Sequence, residues 1–275
     1  MGSTGVGKTS FINKVTGQSL PVGHELDSCT KEIREVRLKR GKRNVVLVDT
    51  PGFGDSSMSD TEVLRLIAKH LVTSHQAGTK LTGIIYMHRI SDSKVEGGTR
   101  RNFKMFHQLC GSEHLRQVAI VTTWWDKVDT KTAESRENQL MTGKTLFKPM
   151  LDYKATMMRH DGSSATAKDI VDHFLRLERM VLKIQSQLIM DKMSLPVTDA
   201  GSVMNTDLLN DTRRCLDRLE VLKDELKRTK DNKTRGLLEE ERKELLAEKR
   251  ALGGQIKSLS KSLNERSFFS RLLGL

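Results

Sequence analysis

Cysteine is scarce in this chain: three residues in 275, Cys29, Cys110 and Cys215, far apart and without CxxC or CxxH spacing. That argues against a disulfide framework or zinc site and fits a reducing compartment. Aromatic residues make up only 4%. No apolar run approaches the roughly 18 residues of a membrane-spanning helix, and no signal-peptide pattern opens the sequence. A cytoplasmic protein is expected. Charge, by contrast, is plentiful: 30% of residues are charged and the formal net charge is +12. No single basic block stands out, so the excess reads as a basic globular face and predicts no specific nucleic-acid site.

The most informative segment stands at the start. Gly2-Ser3-Thr4-Gly5-Val6-Gly7-Lys8-Thr9-Ser10 spells a phosphate-binding P-loop. Its glycines let the backbone curl so that N–H groups face a phosphate chain. Lys8 is placed to reach the β- and γ-phosphates and the Thr9 hydroxyl to ligate Mg²⁺. The helix that follows adds its positive end. About 40 residues on, Val45-Val46-Leu47-Val48 runs into Asp49-Thr50-Pro51-Gly52-Phe53-Gly54-Asp55. A short β-branched run suits a strand buried on both faces. The acid at its end, Asp49, would hold the Mg²⁺ shell, and the Gly52 N–H would reach the γ-phosphate. P-loop, strand and DTPG together predict a Mg²⁺–nucleoside triphosphate site.

Helix and strand signals alternate over the first 190 or so residues, which predicts a mostly parallel sheet covered by helices on both faces. Lys31–Lys39 and Val45–Val48 are expected to pair as a hairpin through Gly41-Lys42. Leu81–His88, Gln117–Thr123 and Lys154–His160 read as further strands. Asp60–His75, Thr99–Cys110 and a segment from about Lys131 read as helices. Ser164–Met193 is expected to be one long helix, with Ile170, Phe174, Leu177, Val181, Ile184 and Leu188 along one stripe. The domain reading is 1–193 for the P-loop domain, 194–204 for a linker and 205–275 for a helical extension. In that extension Leu219, Leu222 and Leu226, then Leu252, Ile256, Leu259 and Leu263, keep a 3-4 spacing. Two coiled-coil or helical-hairpin segments with a break near Asp231–Gly236 are expected. The apolar terminus 267–275 suits bundle packing better than membrane contact.

Base identity rests on the end of one strand. In guanine-nucleotide proteins a strand ends in Asn/Thr-Lys-x-Asp, whose aspartate accepts two hydrogen bonds from the guanine edge. Here Val118–Thr122 leads into Thr123-Trp124-Trp125-Asp126. Asp126 takes the aspartate position, Thr123 the first, and Trp124 replaces the lysine, where an indole can cover a flat base by stacking. An offset alternative, Asp126-Lys127-Val128-Asp129, puts Asp129 in that role. Both tryptophans acting only as packing anchors is the plainer alternative.

Taken together, the P-loop, a Ser28-Cys29-Thr30 switch segment, the DTPGFGD run, Thr122-Thr123-Trp124-Trp125-Asp126 and Gly83-Ile84-Ile85-Tyr86-Met87-His88-Arg89-Ile90-Ser91-Asp92 resemble the septin/Toc/AIG1-type GTPases, and most closely the fungal G-domain proteins of that group. The resemblance covers roughly residues 1–190. It implies a Ras-like α/β domain that binds GTP or GDP with Mg²⁺ and often dimerises across the nucleotide face. It implies Lys8, Thr30 and Gly52 as catalytic groups, Thr9, Thr30 and Asp49 around the metal, and Asp126 as the guanine reader. Residues 160–164 would lie near the base. Self-association through the nucleotide face or the C-terminal helices is expected.

Two departures qualify this. Phe53 stands where related enzymes place a water-orienting glutamine, so hydrolysis is expected to be slow. His24, in the switch region, could help in a dimer, though a solvated loop histidine is the simpler reading. The strand that should feed the P-loop is also missing, which leads us to expect an N-terminally truncated domain with an unpaired slot in its sheet. A degenerate domain acting as a coiled-coil scaffold is the competing reading, and an ATP-dependent kinase or ATPase a weaker one.

Overall fold

The computed structural model describes residues 1–22 and 30–263. His24, Ser28, Cys29 and the 267–275 terminus lie outside the described residues. The elements run α1 (Lys8–Thr16), β1 (Arg34–Arg40), β2 (Arg43–Asp49), α2 (Asp60–Gln76), β3 (Ile84–Arg89), α3 (Gly97–Cys110), β4 (Val118–Thr123), α4 (Thr130–Thr142), α5 (Lys148–Asp152), β5 (Thr156–Arg159), α6 (Ser164–Phe174), a single turn α7 (Lys183–Gln185), α8 (Asp199–Arg228) and α9 (Asn232–Ser260).

β1 and β2 form the expected antiparallel hairpin, closing at the Arg40–Arg43 pair. β3, β4 and β5 form a parallel sheet in that order. Period-2 alternation sends successive residues to opposite faces. Tyr86 and Ile120 join one core cluster with Leu64 of α2, Phe103 and Phe106 of α3, and Met204 of α8. Met87, Ala119 and Val121 join a second with Phe11 and Ile12 of α1 and Ile170 and Phe174 of α6. Both faces are therefore covered, as a parallel sheet requires.

β2 and β3 do not pair with each other. Only residues 1–3 enter the gap between them, where Gly2 bridges Met87 of β3 and Ser3 bridges Phe53, both in parallel sense. The Met1 nitrogen donates to the Ile85 carbonyl at 2.7 Å. Beyond these residues lies an apolar cavity of about 160 Å³, with Val46 and Val48 on one wall and Ile85 and Met87 on the other. Residues 1–3 close one end of this gap.

The single helix expected over 164–193 is broken. α6 ends at Phe174, with the Leu175 N–H on the Asp172 carbonyl. The chain then runs back so that the Met180 N–H donates to the Leu81 carbonyl at 2.7 Å. Buried Gln185 fixes the next turn: its Oε1 accepts from the Leu182 N–H and its Nε2 donates to the Leu71 carbonyl. The stripe predicted burial correctly for Ile170, Phe174 and Ile184, but apolar spacing alone does not register the break. β3 likewise starts at Ile84, because Leu81 is bridged to Met180. Residues 199–204, expected as linker, form the first turns of α8, started by the buried Thr198, whose hydroxyl accepts the Gly201 N–H at 3.1 Å.

α8 and α9 are the predicted pair of helices, with Leu222, Leu252 and Leu259 buried. They are anchored to the α/β body: Ala200, Met204 and Leu208 of α8 and Leu252 and Leu259 of α9 belong to the cluster that includes α2 and α3. Among the described residues, no helix is long and apolar enough to cross a membrane.

One buried group gives the fold a pH dependence. His88 is 4% exposed, edge-on to Phe103 and Phe147. Burial, with the Arg89 charge beside it, lowers its pKa to about 4. Between pH ~6.5 and ~4 the unfolded chain binds a proton that the native state refuses, so stability falls as the pH drops through that window. The loss expected from this site is roughly 3 kcal/mol. Urea midpoints at pH 7 and pH 4.5 should show it, and His88→Gln should flatten the difference. An unchanged difference in that variant would assign the acid sensitivity elsewhere.

Candidate functional site

Most of the long helices begin with a side-chain cap. Ser59, Asp129, Ser163, Thr198 and Asp231 each accept a first-turn N–H of α2, α4, α6, α8 and α9. α1 has no such cap. Its N-cap, Gly7, sits at φ 92°, ψ 23°, a left-handed conformation natural only to glycine. The loop from Gly2 to Gly7 therefore delivers a helix whose first amides are left without a side-chain acceptor. That is the electrostatic requirement of an anion cradle.

Lys8 crosses beneath this loop. Its Nζ donates to the carbonyls of Gly2 at 3.2 Å and Ser3 at 2.9 Å. Burial lowers its pKa to about 8, against the opposing pull of Asp49 and Asp55. One residue on, Thr9 Oγ1 donates to Asp49 Oδ2 at 2.8 Å and lies 3.3 Å from Thr30 Oγ1. Ser10 completes the first turn of α1. Asp49 is 2% exposed, and its other oxygen, Oδ1, is buried without a hydrogen-bond partner. An orphaned buried carboxylate oxygen beside two hydroxyls is a hard-oxygen donor set suited to a small divalent cation. Among the described residues, no group of three His, Cys, Asp or Glu is gathered.

The segment after β2 lies against the P-loop. The Thr4 N–H donates to the Phe53 carbonyl at 2.8 Å and the Phe53 N–H to the Gly2 carbonyl at 3.2 Å. Thr4 Oγ1 donates to Asp55 Oδ2 at 2.8 Å. A Cβ on Gly52 would stand 2.6 Å from the Thr4 backbone, so only glycine fits there. Phe53, in the position of the expected glutamine, is fully buried in the core.

The end of β4 closes the far side. Thr123 Oγ1 donates to the Val6 carbonyl at 3.0 Å, and the indole N–H of Trp124 donates to the Gly5 carbonyl at 3.1 Å. The Asp126 side chain is 66% exposed and paired with Lys127 Nζ at 2.9 Å, which holds its carboxyl below the usual range. Asp129, the offset alternative, instead caps α4 by accepting the Thr132 N–H. In the 160–164 loop Asp161 accepts from Thr166 and Ser163 and falls to about 2, while Ser163 caps α6.

The structure thus brings Lys8, Thr9, Thr30, Asp49, Gly52 and Thr123 together around residues 2–7, while Asp126 is exposed and paired with Lys127. Sequence reasoning missed the use of Asp60. Its carboxylate accepts from the Gly54 N–H and Arg101 Nη2, both at 2.6 Å, and from Asn102 Nδ2 at 3.0 Å. The residues beside it in α2 bond to α9: Thr61 Oγ1 to Gln255 at 3.3 Å, and Glu62 Oε2 from Ser258 at 2.7 Å. The Ser59-Asp60-Thr61-Glu62 pattern signals a helix start but not these long-range partners.

This architecture is a Ras-like α/β fold of the kind found in P-loop GTPase G domains, followed by a helical extension. Residues 1–122 match the family model described as 50S ribosome-binding GTPase. Two proteins of Escherichia coli K12, the uncharacterized proteins YkfA and YfjP, are each 28% identical to the chain, over 129 and 130 residues. Each match takes in 47% of this chain and 41% of the relative, so the chain spans less than half the length of the curated relatives it matches. Among solved structures, Toc33 from Arabidopsis thaliana in complex with GDP and Mg²⁺ superposes with a TM-score of 0.52 at 19% identity, covering 66% of this chain and 85% of that one. A second is described by the statement that dimerization is important for the GTPase activity of the chloroplast translocon components atToc33 and psToc159. It gives 0.53 at 18% identity over 66% and 83% of the two chains.

Proposed function

We propose that this protein binds GTP and GDP with Mg²⁺ and is a slow GTPase switch of the septin/Toc/AIG1-type group, acting in the cytoplasm, whose nucleotide state controls self-association. The observation that carries the reading is the cluster of Lys8, Thr9, Thr30 and Asp49, in which Thr30 and Asp49 are buried and one Asp49 oxygen is orphaned, since these polar groups have no packing role. Backbone amides from Gly5 to Thr9 take the phosphates, and Lys8 exchanges its two carbonyl partners for β- and γ-oxygens. Thr9, Thr30 and Asp49 hold the Mg²⁺ shell; the ion, when bound, neutralises charge on the phosphates. Asp126 accepts the guanine N1 and N2 hydrogens, giving up its pairing with Lys127.

Hydrolysis, in which water attacks the γ-phosphorus and GDP leaves with the proton balance carried by phosphate, finds no water-orienting side chain at the position after Gly52. Phe53 is apolar and buried. Turnover is therefore slow in the monomer and rises with protein concentration if a second copy supplies the missing polar contact, in keeping with the dimerization described for the Toc neighbours. The α8–α9 hairpin is suited to read the nucleotide state. The loop that senses the γ-phosphate hangs on Asp60, and the residues beside Asp60 hold α9.

A fluorescent GDP titration with Mg²⁺, competed by GTP and by ATP, tests the reading. Displacement by GTP and not by ATP is expected. A folded chain that binds neither nucleotide would transfer the function to the helical hairpin as a scaffold, and equal competition by ATP would remove Asp126 as the base reader.

A further inference from the structure

The positive charge of this chain is not spread evenly over the fold. Residues 34–43, strand β1 and the turn into β2, hold six cations and one acid, Glu35. Two of the cations face the body of the domain. Arg40 and Arg43 pair across the end of the hairpin. Arg40 makes a two-pronged ion pair with Asp172 of α6, at 2.8 and 2.6 Å, and Arg43 donates to the Leu175 carbonyl just past that helix. Two arginines thus clamp the hairpin end to the C-terminus of α6.

The clamp leaves other cations outside. Lys39 and Lys42 are exposed at the hairpin end, and Arg176 and Arg179 are exposed in the segment after α6. Among the described residues none of these four enters an ion pair. The two pairs are brought to one end of the fold. The Asp172 carboxyl is held below its usual range by Arg40 first and also by Arg176, and Arg179 shares a cleft with Arg37 and Lys80. Of the acids nearby, Asp172 is taken up by Arg40 and Glu35 by Arg37 at 3.4 Å. Asp169, one turn before Asp172 on α6, and Glu178, between the two free arginines, do not balance the remainder.

We propose that this end of the fold is a binding surface for duplex DNA, with the hairpin end in the major groove and Lys39, Lys42, Arg176 and Arg179 on the phosphates that border it. β2 runs from Arg43 to Asp49, which puts the surface roughly 20 Å from the P-loop at ~3.3 Å per residue. A nucleotide bound at the P-loop does not neutralise it, and the inference stands apart from the nucleotide reading. Residues 39–44 carry no apolar side chain to anchor in a bilayer. A two-stranded β-ribbon is an element that the major groove of B-DNA admits, whereas that of A-form RNA is deep and narrow. Contacts to phosphate position the protein without reading bases, so binding is independent of sequence.

The experiment measures binding of the full chain to a labelled DNA duplex and an RNA duplex of the same sequence by fluorescence anisotropy, and to phosphatidylserine vesicles by co-sedimentation. Four phosphate contacts should give a log–log salt slope of about −4, a loss of roughly a hundredfold in DNA affinity between about 50 and 200 mM salt. Lys39→Gln with Lys42→Gln, and Arg176→Gln with Arg179→Gln, should each weaken DNA at least about tenfold and flatten the slope by about 2. Circular dichroism and melting temperature should not change. Lys230→Gln with Lys233→Gln removes the same charge around the turn between α8 and α9 and should alter DNA affinity less than about twofold. An equal loss in that control overturns the proposal, because the net charge of +12 would then do the binding wherever it sits. Full DNA affinity in either of the first two variants overturns it too. So do an RNA duplex bound as tightly as DNA, vesicles bound in place of DNA, and folded protein that leaves DNA free at low salt.

Discussion

Five β-branched residues joined ahead of Met1 should raise the melting temperature of this protein by about 10 °C. The cavity between β2 and β3 is walled by Val46, Val48, Ile85 and Met87 and closed at one end by residues 1–3, which already bridge Met87 and Phe53 in parallel sense. An added strand continues that pairing into the gap, with side chains directed alternately toward α1 and α2. Burying five apolar side chains gains ~10 kcal/mol at ~2 kcal/mol each. Ordering five residues costs ~7 kcal/mol. The remainder, ~3 kcal/mol, corresponds to a shift of about 10 °C in a domain of this size. Alternating Lys and Asp in the same five positions should give no rise. Equal melting temperatures for the apolar and charged extensions, read by calorimetry, would show that the cavity does not accept a strand.

How much of this was legible in the sequence follows from what each interaction is made of. Local signals read true: the β1–β2 hairpin through Gly41-Lys42 and the helices beginning at Asp60 and Ser164. Thr9, Thr30 and Asp49, named from their motifs, do stand within hydrogen-bond reach of one another. What could not be read are contacts between residues far apart in sequence. The break after Phe174 depends on Leu81 and Leu71, about a hundred residues earlier, offering carbonyls to Met180 and Gln185. The docking of α9 depends on Glu62 and Thr61. Trp124 was legible as a substitution for lysine, but its bond to Gly5 needed the loop in three dimensions. A periodic stripe tells which residues will be buried; it does not tell against what.

Lys8→Met should make the nucleotide-free protein more stable and nearly abolish its nucleotide binding. Burial lowers the Lys8 pKa to about 8 from 10.5, the mark of an ammonium the empty fold holds at a cost. The sign is that of a depressed lysine: at pH 7, below both values, native and unfolded chains are each charged, and the whole penalty falls on the native state. The carbonyls of Gly2 and Ser3 recover part of it, leaving a cost on the order of 2 kcal/mol. Methionine fills a similar volume without that cost, so a rise of about 5 °C in melting temperature is expected. With Lys8 on the phosphates as proposed, the same change would remove two charge-assisted hydrogen bonds, a loss of at least about a hundredfold in GDP affinity. With saturating GDP the order should reverse, because binding stabilises only the parent. Thermal shift with and without GDP reads both effects on one instrument. If the variant melts below the parent in the absence of nucleotide, Lys8 is a structural residue whose carbonyl bonds hold the loop. If it melts higher and gains nothing from GDP, the P-loop has kept a destabilising charge for the sake of its ligand.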